Sequence, residues 1–103
     1  MESDYKVKPE IFEGPLDLLL DLARRQAVDL ARVSILDLAD QYLAATEDLD
    51  RVGLARATDW LVMAAWLTWL KSRLLLPRSP KEAAQAEQAA EALSARLAQM
   101  ERV

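Results

Sequence analysis

Apolar residues recur at helical spacing in four blocks, and polar or turn-forming residues fill the intervals. In the first block Leu16, Leu19, Leu20 and Ala23 stand at i, i+3, i+4 and i+7, with Leu18 and Leu22 widening the stripe. Gly14 permits a tight entry and Pro15 suits the first helical position, where its missing N–H costs nothing, so a helix is predicted over 15–26. Asp17 in its first turn and Arg24 and Arg25 in its last complement the helix dipole. Asp21 and Arg25 form an i,i+4 surface pair. After a short connection over 28–33, where Asp29 caps a single turn, Ser34 is the N-cap of a second helix over about 35–47. Ile35, Leu38, Ala39 and Tyr42 make its inward stripe, and Leu36 and Leu43 a second one on another face. Residues 48–53 read as a loop.

The third block, over 54–76, does not divide so cleanly. At about 100° per residue, Leu61, Ala64, Ala65, Thr68, Ser72 and Leu75 share a sector of mostly small side chains. Roughly opposite runs a bulky ridge of Trp60, Met63, Leu67, Leu70 and Leu74, while Val62, Trp66 and Trp69 fill one flank. A helix apolar nearly all round needs cover on more than one side, and a chain of 103 residues cannot provide a large core. A membrane span needs about 20 consecutive apolar residues, roughly twice the clean run over 60–70, so a protein partner is the better account of the excess. Pro77 ends this helix. Ser79 and Pro80 then start a fourth, alanine-rich one, in which Ala83, Ala86, Ala90, Leu93, Leu97 and Met100 follow a heptad-like seam. That seam has three candidate receivers: the domain itself, another copy, or a second subunit. No stop signal closes the helix, which is what a piece of a longer protein would show.

Composition narrows the chemistry. The chain is 52% hydrophobic and 29% charged with two glycines, which favours an all-α protein: a small helical bundle with a long third helix and an additional C-terminal helix. It has no cysteine and no histidine, so disulfides, thiolate chemistry and the usual catalytic bases and soft-metal ligands are gone, and no cofactor or enzyme activity is expected. A net charge of −4 opposes polyanions, and no direct nucleic-acid contact is expected. The opening MESDYKVKPE has no apolar core after its charges, so it is not a signal peptide, and the cytoplasm is the expected compartment.

The strings FEGPLDLLL at 12–20, ILDLADQYL at 35–43 and LVMAAWLTWLKSRLLLP at 61–77, in this order, resemble the N-terminal domain of segregation and condensation protein A, the bacterial kleisin. The resemblance implies a flexible arm over 1–10, the kleisin helical domain over 11–77, and the start of the family's middle region over 78–103. It implies a non-enzymatic subunit that lays helices along the coiled-coil neck of a structural-maintenance-of-chromosomes (SMC) ATPase head, serving chromosome condensation and segregation at the nucleoid. It further implies recruitment of segregation and condensation protein B through the middle region. The partner-binding residues assigned on this basis are the ridge Met63, Leu67, Leu70 and Leu74, with Leu43, Trp66 and Lys71 beside it; the small-residue sector is the alternative docking side. Trp60 is assigned to the core. The chain departs from the family in carrying Trp66 and Trp69 where smaller or aliphatic residues are common. The competing function is a self-associating helical structural protein, and homodimerisation is expected to be open to the chain when its partner is absent.

Overall fold

A computed structural model describes residues 14–27, 29–47 and 58–101. Within them the chain forms four helices: α1 (Pro15–Gln26), α2 (Ile35–Ala45), α3 (Thr58–Leu75) and α4 (Pro80–Glu101), with a 3₁₀ turn at Leu30–Arg32 between the first two. The start predicted for the third helix, the loop before it and the N-terminal arm lie outside the described residues.

Local signals set the helix starts. Pro15 occupies the first helical position of α1, and the Gly14 carbonyl accepts from the Asp17 and Leu18 amides. The backbone at Gly14 is extended and a Cβ there would meet open space, so glycine is not sterically required at this entry. Ser34 Oγ accepts from the Asp37 amide at the start of α2. The Gln26 carboxamide reaches across the connection to bond both the amide and the carbonyl of Ser34, which fixes where α2 begins relative to the end of α1. At α4, Ser79 Oγ accepts from the Glu82 amide, 3.1 Å away, while the Glu82 carboxylate accepts from the Arg78 amide, a capping arrangement displaced by one residue from the usual box.

Leu18, Leu19, Leu22 and Ala23 of α1 meet Ile35, Leu38, Ala39 and Tyr42 of α2 in one core, to which α3 gives Trp60, Leu67 and Leu70, and α4 gives Ala86, Leu93 and Leu97. Tyr42 is fully buried; its hydroxyl donates to the Trp60 carbonyl at 2.9 Å, and the two rings stack at 6.4 Å. Burial pushes the Tyr42 phenol well above its ordinary pKa. The fourth helix therefore folds back on the domain. It runs antiparallel to α3, with Arg73 beside Glu82 at one end and Met63 beside Met100 at the other. Its heptad-like seam is spent inside the bundle, which selects the first of the three receivers.

Candidate partner-binding surface

Because α4 lies along α3, the bulky ridge faces inward. Leu67 and Leu70 are 0% exposed, and Met63 and Leu74 are half-buried against the same core. This corrects the orientation assigned from sequence: the ridge is the inner side of α3, and the small-residue sector with its tryptophan flank is the outer side. Of the other assigned residues, Trp66 stays on the surface at 36% exposed, and Leu43 and Lys71 lie at the margin.

The outer side carries Leu61, Val62, Ala65, Trp66, Trp69 and Leu75, all exposed, and continues to Leu76 just past the helix end. The Leu76 amide still donates to the Ser72 carbonyl, so the helical ladder holds that residue in register. Val62 is 63% exposed, Trp69 38% and Leu76 78%. At about 100° per residue this uncovered arc, from Leu75 round to Trp66, spans roughly half the circumference. A single exposed leucine would mean little, but a contiguous apolar patch is a candidate interaction surface.

Three polar side chains on and beside the arc already have partners within the domain. The Thr68 hydroxyl donates to the Ala64 carbonyl at 2.8 Å within the helix, leaving its methyl outward, so covering it leaves no donor stranded. Lys71 on one margin pairs with Asp40 of α2. Arg73 toward the other pairs with Glu82 of α4, Nε to Oε1 3.6 Å. Both charged side chains at the margins thus have an opposite charge beside them, although the Arg73 Nε itself makes no hydrogen bond. At its N-terminal end the arc opens into a shallow groove between α2 and α3, lined by Leu43, Ala44, Thr46, Glu47, Leu61 and Ala64, which brings Leu43 into the same surface.

Sequence spacing placed Leu61 and Leu75 only in the alternative docking sector and left Val62, Trp69 and Leu76 out of the assignment. The signal that could have found them was the α4 seam: its N-terminal half is alanine at each inner position and asks for bulky partners, and the ridge of α3 supplies them. Among the described residues no group of three or more His, Cys, Asp or Glu side chains could hold a metal ion, and no helix is long and apolar enough to cross a membrane.

The family model for segregation and condensation protein ScpA matches residues 22–103, which takes in α2, α3 and α4 whole. Segregation and condensation protein A of Bacillus licheniformis is 43% identical over 79 residues, covering 77% of this chain and 32% of that protein. The protein of the same name from Bacillus velezensis is 42% identical over 79 residues with the same coverage, and that of Bacillus cereus (strain B4264) 41% over 78 residues, covering 76% of this chain and 32% of the relative. No solved structure matches the chain. The chain thus spans about a third of the length of the curated relatives it matches, and by the extent of the family match it belongs to the segregation and condensation protein ScpA family.

Proposed function

We propose that this domain is a non-enzymatic clasp that docks the outer side of α3 along the head-proximal coiled coil of an SMC ATPase, and so takes part in chromosome condensation and segregation. The observation that carries the reading is the uncovered arc of α3: four helices close a core, and half of the third remains apolar and open. A coiled coil presents long, knobbed helical surfaces, and a rod-shaped apolar arc of about 24 Å is matched by such a surface and not by a pocket ligand. In this reading Val62, Trp66, Trp69 and Leu76 make the contact, with Leu43 and Lys71 at its edge. Leu67 and Leu70 sit behind it, and Met63 and Leu74 offer only their exposed edges.

The net charge of −4 supports attachment to chromosomes through the partner instead of through DNA. The proposed setting is accordingly cytoplasmic and nucleoid-associated. Segregation and condensation protein B is the second proposed partner, through the middle region that starts near residue 78; the buried seam of α4 is closed to it in this fold. Mixing the chain with a head-plus-neck piece of the cognate ATPase at tens of micromolar tests the reading by calorimetry. A 1:1 complex that Trp69→Glu weakens about thirtyfold or more, with the circular dichroism spectrum unchanged, is expected; no heat and no co-elution would sink it.

A further inference from the structure

Down the middle of the outer arc runs one seam with alternating steps of three and four residues: Val62, Ala65, Trp69, Ser72, Leu76. Its side chains alternate large, small, large, small, large, and all five are exposed. Such a seam cannot pair well with itself in parallel, because Trp69 would meet Trp69 and Ala65 would meet Ala65. Reversed about a two-fold axis beside residue 67, it fits itself: Trp69 faces the other copy's Ala65, Val62 faces Ser72, and each contact recurs by symmetry. Antiparallel packing also sets the positive end of each helix dipole beside the negative end of the other.

The geometry points to a second copy of this chain as an occupant of the face, in an antiparallel α3–α3 dimer that holds the surface closed until another helix displaces it. The exposed portions of Leu61, Val62, Trp66, Trp69, Leu75 and Leu76 amount to on the order of 600 Å² of apolar surface. Two such faces bury on the order of 1,200 Å², just above the roughly 1,000 Å² that a specific interface needs, so the dimer is weak and reversible. The paired charges Lys71–Asp40 and Arg73–Glu82 flank the seam and need not be broken. This pairing goes beyond the ATPase reading and does not depend on it, although both use one face.

Sedimentation or light scattering of the chain from a few to several hundred micromolar should show mass rising from 11.6 kDa toward twice that value. Ala65→Leu is the discriminating variant. Ala65 is exposed, so the monomer accommodates the change, but the added bulk stands where the other copy's Trp69 must sit and should weaken association about tenfold or more. Combining it with Trp69→Ala swaps the large and small positions and should recover part of the loss. Stickiness without register would instead grow with the added apolar group, and that result overturns the proposal, as does a monomer at every concentration. The chain has no cysteine, so a spin label on Arg78→Cys is unique; the antiparallel register separates the two labels by about 33 Å along the axis, and a separation near 10 Å would contradict it. Adding the ATPase head-plus-neck piece should convert dimer into 1:1 complex. Binding that leaves the dimer intact overturns the shared face, whereas dimerisation without neck binding defeats only the ATPase reading.

Discussion

A glutamate placed at either of two neighbouring positions, 70 or 69, separates the two sides of α3. Leu70 is 0% exposed, so Leu70→Glu forfeits about 1.5–3 kcal/mol of apolar transfer and strands a carboxyl group in the core at a cost of several kcal/mol more. Against a total of about 5–15 kcal/mol for a domain of this size, that loss is enough to unfold much of the population. Trp69 points the other way, and Trp69→Glu places its carboxylate in water without opening a cavity, so a change of about 1 kcal/mol is expected. Melting followed by circular dichroism should show Leu70→Glu with little helix at 25 °C, and Trp69→Glu with a Tm lowered by about 4–8 °C. Titration with the ATPase neck should show the Trp69 variant weakened about thirtyfold or more, as for an aromatic hot spot worth about 2 kcal/mol. A folded Leu70→Glu that alone loses binding, beside a Trp69→Glu that binds normally, would refute this orientation of the helix.

Tyr42→Phe removes the hydrogen bond to the Trp60 carbonyl and should cost about 0.5–1.5 kcal/mol, measured by urea unfolding. Because burial raises the Tyr42 pKa, its contribution is complete below the unfolded phenol's value of about 10 and falls as pH climbs past it; the alkaline loss of stability should be shallower in Tyr42→Phe. Leu97→Ala should destabilise the whole bundle in one transition by about 2–5 kcal/mol, since Leu97 is fully buried; a separate early melting of α4 would show that it is not part of the core. Gly14→Ala should leave Tm unchanged or slightly raised, because the site is extended and open, and a drop of many degrees would contradict that geometry.

Where a residue acts through its own backbone neighbours, its role was legible in the chain. Pro15, Ser34 and the Ser79–Pro80 pair mark the observed helix starts, and the Asp21–Arg25 pair forms at 3.0 Å as its spacing requires. Both inward stripes of α1 and α2 reach the core, and an all-α bundle follows from them. What could not be read was the rotation of α3 about its axis. Apolar residues surround that helix, so its own periodicity does not distinguish inside from outside; the choice falls to α4, which arrives from later in the chain and takes the Met63–Leu67–Leu70–Leu74 side. Gly14 misled for a simpler reason: a glycine before a helix suggests an unusual backbone, and here the backbone is ordinary.

The most direct measurement of where a partner lies is the accessibility of the tryptophans. Trp60 is 7% exposed, whereas Trp66 and Trp69 face solvent, so the quenchable emission of the chain comes from the outer side of α3. With a saturating, tryptophan-free ATPase neck, acrylamide quenching should fall toward that of a Trp66→Phe, Trp69→Phe double variant, and the emission should move to shorter wavelength. Demonstrated binding with quenching and emission both unchanged would place the partner elsewhere and contradict the account.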